Sequence, residues 1–377
     1  MAQNTHQVSL DQPSGGIEIS SINGQVQILH PLWLRERGGG ALVDARNNQR
    51  LYEPAELPLT LKVTQIDDIA DNQLSLRFSD DKIIHIDLSR LETELGWRDD
   101  PQSPPDPVFW NSKSLTLPEA VWSNLDDPRE MLSLLEKFYQ TGFCIIRGTP
   151  TDDENFYDVI NRFGHIRSTN FGQHFEVKAK TNNDVTDLAY TDLELMAHSD
   201  NPYRRPVPGI QFLQCIENSV PGGHSTIVDG FAIADHMRRK YRDEFDALCQ
   251  TPVRFRYEST DHILQSRARI IECDEEGTPE RVRFSSRVDY VFPVKPSQLD
   301  LYYAGRKKFY EFANNAEYQI SFPFVPGLLL MMDNYRTLHG RKAFESGSGD
   351  RFLKGCYIDH DTTDGMYRAL TRNNMCA

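Results

Sequence analysis

The chain has 377 residues, 39% of them hydrophobic and 25% charged, which is enough for one large domain and a small one around sizeable cores. Its net charge of −14 argues against nucleic acid or an anionic membrane as a main partner, because phosphate binding needs a basic face. It leaves room for a local cluster of Arg that binds a small anion. No apolar run approaches the roughly 20 residues needed to span a bilayer. Six cysteines (Cys144, Cys215, Cys249, Cys273, Cys356, Cys376) form no CxxC pair, and the opening MAQNTHQVSLDQ is not a signal segment. The expectation is a cytoplasmic protein with reduced thiols.

Residues 1–97 are expected to form a small domain, β-rich from about residue 16. Its alternating runs at Gly24–Leu29, Leu59–Val63 and Lys82–Leu88 fit half-buried strands. The stretch RDDPQSPPDP within 98–116 holds neither helix nor inner strand and reads as a linker. From 117 to 377 the pattern changes. Apolar spacing predicts a helix over Pro128–Thr141, then a buried strand at 142–147 and a helix around Asn155–Arg162. Strands are expected at 208–216 and Ser225–Val228, a helix with a basic face over Phe231–Asp246, and strands at Arg281–Phe284, Gly327–Met332 and Leu353–Ile358. Many strands with a few outer helices indicate a mainly β, double-sheet jelly-roll barrel.

One constellation carries chemistry. An oxygenase iron needs three protein ligands on one face of an octahedron, and two imidazoles with one carboxylate meet that need. His198-Ser199-Asp200 places its first and third side chains on one face of an extended segment. The spacing alone is weak, since His85-Ile86-Asp87 repeats it and reads as an ordinary strand edge. Downstream context separates the two. His339 follows the apolar strand GLLLMMDN (327–334), and Arg351, twelve residues later, opens the next strand. An Arg there suits the far carboxylate of 2-oxoglutarate, with Ser225 or Thr226, after the GG turn at 222–223, sharing it. The joint pattern points to a mononuclear iron(II) oxygenase using 2-oxoglutarate and O2. A zinc hydrolase built on the same three ligands leaves Arg351 without a role, and a non-catalytic betaine-binding jelly roll does not need all three.

The segments NFGQHFEVKAK, AYTDLELMAHSDNP and PGIQFLQCIENSVPGGHSTIVDGFAIAD, with the later MMDNYRTLHGRKAFESGSGDRFLKGCYID, resemble γ-butyrobetaine hydroxylase, an oxygenase of the clavaminate synthase/TauD type. The resemblance spans essentially the whole chain, including HPLWLRER near the start. It implies a double-stranded β-helix, a homodimer, and hydroxylation of an unactivated carbon in a small trimethylammonium zwitterion. Two departures matter. Where the family carries zinc-binding cysteines after its WLR motif, this chain has Gly38, Gly40 and Val43, and it has no cysteine before Cys144. No structural zinc is therefore expected, with His85 left as a remnant.

The second departure lies in the substrate pocket. The family's aromatic cage for the quaternary ammonium maps onto Phe171, Phe175 (in place of a Trp), Tyr190 and Tyr357, with Tyr203 nearby. The two Asn that bind a carboxylate in the family are replaced by Asp187 and by the run Phe284-Ser285-Ser286-Arg287. Asp187 would repel a substrate anion, so its expected place is beside the trimethylammonium group or Arg287. Ser286 and Arg287 suit an anion with more charge and more oxygens than a carboxylate. A shorter zwitterion with a larger anion is 2-(trimethylammonio)ethylphosphonate; γ-butyrobetaine is the alternative.

Overall fold

The computed structural model describes residues 6–178, 193–344 and 349–375. The chain divides into two compact units, Met1–Ser103 and Pro104–Ala377, the division falling inside the Pro-rich stretch.

In the first unit, β1 (Gln7–Asp11), β2 (Gly16–Ser20) and β3 (Val26–Leu29) form one antiparallel sheet, followed by α1 (Pro31–Arg35). A second sheet is made of β4 (Val63–Ala70), β5 (Gln73–Phe78) and β6 (Ile83–Asp87), and α2 (Leu88–Glu94) closes the unit. Strand alternation decides the core: Leu74, Leu76 and Phe78 on β5 are fully buried while the residues between them are not. The expected strand at Leu59–Val63 is instead a turn, with Leu59 exposed, and the strand begins at Val63. His85 lies on the edge strand β6 with its Nδ1 2.8 Å from the Ser75 hydroxyl, and Asp87 caps α2 by accepting from the Arg90 N–H. The His-x-Asp pair here is thus a strand edge and a helix cap.

The second unit begins with β7 (Glu119–Val121), α3 (Pro128–Thr141), β8 (Phe143–Arg147), α4 (Phe156–Asn161), β9 (Phe175–Lys178), β10 (Leu195–His198), β11 (Ile210–Asn218) and β12 (Ser225–Asp229). Then come α5 (Gly230–Lys240), α6 (Arg242–Gln250), β13 (Val253–Glu258), β14 (Ile263–Ala268), β15 (Ile271–Cys273), β16 (Pro279–Val282) and β17 (Asp289–Val291). The unit ends with α7 (Pro296–Ala313), β18 (Gln319–Phe322), β19 (Leu328–Asp333), β20 (Thr337–Arg341), β21 (Arg351–Ile358) and α8 (His360–Met375).

Two sheets face each other, a six-stranded one in the order β7-β8-β19-β11-β21-β9 and a four-stranded one in the order β10-β20-β12-β18. Ile145, Leu330 and Leu353 from the first meet Ile227 and Phe322 from the second in the layer between them. Helices cover the outer faces. α3, α4 and α8 pack on Cys144, Phe212 and Cys356; α5, α6 and α7 pack on Val228 and Leu338. This is the jelly-roll architecture expected from the sequence.

Local chemistry explains the best-defined helix. Asp127 caps α3 by accepting from the Arg129 N–H, Pro128 occupies the first turn, and Gly142 ends it at φ +81°. A Cβ at Gly142 would also lie 2.8 Å from Arg336 Cδ. The expected helix over Phe231–Asp246 is two helices, broken at Tyr241. The expected strand at Arg281–Phe284 ends at Val282, and the irregular segment after it brings Ser285 and Arg287 to the cavity wall. His339 comes after the apolar strand β19, within β20 of the opposite sheet, to which the chain crosses at residues 334–336. That crossing is anchored by Arg336, fully buried. Its guanidinium pairs with Asp229 at 2.7 Å and donates to the carbonyls of Val108, Tyr139 and Gln140.

Candidate active site

β10 and β20 are antiparallel neighbours, and their register sets His198 directly opposite His339, with ring centroids 4.5 Å apart. Asp200 follows two residues beyond His198, just past the strand end. Its backbone is clamped by Asn334: the side-chain oxygen accepts from the Asp200 N–H at 2.7 Å, and the amide donates to the carbonyls of Asp200 and Pro208. Asp200 Oδ1 then lies 3.3 Å from His198 Nε2 and 3.7 Å from His339 Nε2. Among the described residues, these three are the one group of His, Cys, Asp or Glu whose ligand atoms converge, all within 4.8 Å. His198 Nδ1 sits 2.9 Å from the Met196 carbonyl, which can only accept, so Nδ1 is the donor there and Nε2 is the nitrogen turned to Asp200.

Electrostatics favour a cation at this point. Burial opposes charge on Asp200, but His339, His198 and a hydrogen bond from Tyr357 outweigh it and hold the carboxyl well below the usual carboxylate range. Burial pushes the His339 imidazole down to about 4, with Asp200 acting in the other direction and the charges of His198 and Arg287 adding to the fall. Neutral imidazole and ionised carboxylate are the protonation states a metal ligand needs.

These residues open onto a cavity of about 590 Å³ between the sheets. Arg351, 6% exposed, enters it from the start of β21. No carboxylate among the described residues pairs with Arg351, and its Nε is buried without an acceptor. Burial, and then the neighbouring Arg341 charge, push its pKa down to about 10. A buried guanidinium without a counter-ion is a site for an anion. Ser225 lies in the same wall and pairs with Arg341 across β12 and β20. The donor set and the orphaned guanidinium together fit iron(II) and a dicarboxylate such as 2-oxoglutarate.

Aromatic rings form another part of the wall. Phe175 and Tyr357 lie 5.5 Å apart at 34°, Tyr203 stacks on Tyr257 at 5.0 Å and 24°, and Phe171 meets Tyr257 edge-on at 5.9 Å. Gly355 makes room for the first pair, since a Cβ there would fall 2.2 Å from the Phe175 ring. Arg287 lines the cavity as well, but from an exposed position. Its segment is tied beside Asp200 by Ser199, whose N–H donates to the Phe284 carbonyl and whose hydroxyl accepts from the Phe284 N–H.

Not every expected residue reaches the wall. Thr226 is buried opposite Gly340, one residue out of phase with Ser225, and so faces away from the cavity. Ser286 is exposed and does not line the cavity; Ser285, one residue earlier, does. Asp187 and Tyr190 lie outside the described residues. Conversely, Gln211, Arg256, Tyr257 and Arg341 line the cavity and were not anticipated. The signal for Tyr257 was the alternation in VRFRYE, in which Phe255 and Tyr257 share a face.

Two facing sheets, antiparallel except at the β7–β8 edge, with two imidazoles and a carboxylate converging on the cavity between them, define a jelly-roll oxygenase centre. Residues 103–357 match the family described as Taurine catabolism dioxygenase TauD, TfdA family, and the chain belongs to that family. It is an iron(II)- and 2-oxoglutarate-dependent dioxygenase that uses O2. It is 29% identical over 358 residues to gamma-butyrobetaine dioxygenase of Pseudomonas sp. (strain AK-1), covering 92% of each chain. The human gamma-butyrobetaine dioxygenase is 31% identical over 275 residues, 71% of this chain and 70% of that one. Trimethyllysine dioxygenase of Rattus norvegicus is 25% identical over 351 residues, 90% and 82% of the two chains. Among solved structures, AAD-2 in complex with Mn(II) and N-oxalylglycine shares the fold with a TM-score of 0.50 at 14% identity, covering 67% of this chain and 97% of that one.

Proposed function

We propose that the enzyme hydroxylates a small trimethylammonium zwitterion, and that this substrate is 2-(trimethylammonio)ethylphosphonate, attacked at the carbon bonded to phosphorus. In this reading His198, Asp200 and His339 hold iron(II), and Arg351 with Ser225 holds the far carboxylate of 2-oxoglutarate. When bound, iron(II) with 2-oxoglutarate would supply the activation of O2, one oxygen atom going into the C–H bond and the other into succinate as CO2 is released.

The chain's own residues then supply position. A trimethylammonium group has no hydrogen to donate, and the faces of Phe175, Tyr357, Tyr203 and Phe171 suit it by charge–quadrupole attraction. The relatives named for γ-butyrobetaine and trimethyllysine support that end of the substrate. The anionic end rests on one observation: Arg287 lies in the same cavity wall as the rings and close enough to His339 for its charge to be felt there. Cage and guanidinium act as a two-point ruler that fixes which carbon lies nearest the metal.

The test is turnover by iron-loaded enzyme with 2-oxoglutarate and O2, offered the phosphonate or γ-butyrobetaine separately, following succinate, hydroxylated product and phosphorus NMR. Hydroxylation of the phosphonate alone supports the reading. Turnover of γ-butyrobetaine alone refutes the phosphonate assignment and keeps the trimethylammonium one. No succinate above the substrate-free rate with either compound refutes both.

A further inference from the structure

Tyr357 belongs to the aromatic wall by its ring, but its hydroxyl turns the other way. It donates to Asp200 Oδ2 at 2.7 Å, while Oδ1 of the same carboxylate faces both imidazoles. The two oxygens of Asp200 therefore have different partners. Tyr357 is 5% exposed, and the buried site makes a charge-assisted O–H···O⁻ bond of this kind strong.

We propose that Tyr357 is a positioning residue that keeps Asp200 a one-oxygen ligand and so preserves the coordination site used by O2. The inference rests on the reading of His198, Asp200 and His339 as iron ligands. Its logic is a count of positions. An octahedral iron offers six; three go to the protein and two to a chelating 2-keto acid, which leaves one. Carboxylates also bind metals through both oxygens, and an Asp200 that did so would fill the last position. Engaging Oδ2 in a hydrogen bond removes that option. The bond is held by a stiff side chain whose ring packs against Phe175, itself seated with its far end over Gly355. A substrate pressed on the ring thus bears on the group that orients the metal's carboxylate.

Tyr357→Phe keeps the ring and removes only the hydroxyl. The primary readout is the visible absorption of the Co(II)-substituted protein, whose intensity separates five from six ligands. It is taken anaerobically with 2-oxoglutarate and either trimethylammonium compound. The wild type is expected to show an open position and Tyr357→Phe a filled one. On the iron enzyme kcat should fall about tenfold or more, the cost of one charge-assisted hydrogen bond, with KM within about threefold and succinate formed in excess of product. Phe171→Leu, which alters the ring that meets Tyr257 rather than Tyr357, should raise KM and leave the cobalt spectrum as in the wild type.

A Tyr357→Phe protein with the wild-type spectrum and coupling, or with only KM changed, overturns the inference. A crystal structure of the anaerobic wild-type iron–2-oxoglutarate complex tests it without a variant. Oδ1 alone on iron, with Oδ2 on the Tyr357 hydroxyl, supports it; both oxygens on iron overturn it. Wild-type protein that binds neither Co(II) nor iron(II) through the three residues overturns the ligand assignment itself.

Discussion

Replacing Arg351 with Met should make the protein more stable and less able to bind 2-oxoglutarate. The guanidinium is buried beside Arg341, and no carboxylate among the described residues faces it. Its pKa is pushed from the ordinary guanidinium value down to about 10, with burial the first cause and Arg341 the second. At about 1.4 kcal/mol for each tenfold change in the proton equilibrium, carrying the charge there costs the folded state about 3 kcal/mol. Met fills much of the volume of the Arg stem without that cost, so part of the 3 kcal/mol should return, read as a melting temperature a few degrees higher without co-substrate.

The same change removes a two-pronged, charge-assisted contact to the dicarboxylate. Two such hydrogen bonds at about 1.5–3 kcal/mol each amount to about 3–6 kcal/mol, or roughly 10² to 10⁴-fold in Kd. Anaerobic titration of the iron protein, following the charge-transfer absorption of the keto-acid chelate, measures the loss. Differential scanning fluorimetry with and without 2-oxoglutarate measures the stability. The wild type should melt higher as the ligand is added and the variant should not respond. A variant that is less stable in buffer and binds 2-oxoglutarate as tightly as the wild type would show that Arg351 is a structural residue, and the reasoning would fail.

Other perturbations separate the remaining roles. Arg287→Ala should raise KM for the phosphonate about tenfold to a hundredfold, the worth of one charge-assisted contact at a partly exposed site; equal loss for phosphonate and carboxylate substrates would remove Arg287 from specificity. Arg336→Met leaves Asp229 charged and fully buried, so it should cost about 3–5 kcal/mol in denaturant unfolding, and Asp229→Asn in the same chain should recover part of that. Burial disfavours a charged His360, but Asp333 at 3.0 Å outweighs it and raises the pKa above 6.5. The resulting stabilisation is fully present below pH 6.5 and is lost as pH rises through the higher folded value. Melting temperatures across that window should slope less in His360→Gln, and an unchanged slope would assign the pH dependence elsewhere.

How much of this was legible in the sequence depends on which interaction decides each element. α3 was fully readable because its cap, its apolar spacing and its terminating glycine all agree. The inner strands β8, β11, β12, β19 and β21 were readable as short apolar runs. α7 carries its own signal, Tyr302, Gly305, Phe309 and Ala313 at helical spacing and all buried, but its remaining face is polar and aromatic enough to blur the pattern. The convergence of His198, Asp200 and His339 was legible from their order and spacing relative to the strands, with Arg351 opening the next strand. Gln211 and Arg341 were not, because nothing local marks a strand residue as facing a cavity rather than a core. Thr226 was misplaced by one residue, and in a strand one residue is a change of face.

β21 shows why site and fold are hard to separate here. Along its inner face Arg351, Leu353, Gly355 and Tyr357 follow one another at the strand period. The first meets the proposed co-substrate, the second fills the layer between the sheets, the third admits the Phe175 ring, and the fourth reaches Asp200. On the outer face Cys356 and Ile358 pack against the helices. A slip of one residue would bring Phe352 and Lys354 inward and turn Arg351 and Tyr357 out. It would also press the buried Cys356 and Ile358 into the inter-sheet layer and strip the α3–α8 side of its apolar partners. The same hydrophobic alternation that makes the jelly roll cohere therefore holds Arg351 and Tyr357 on the cavity side of this strand.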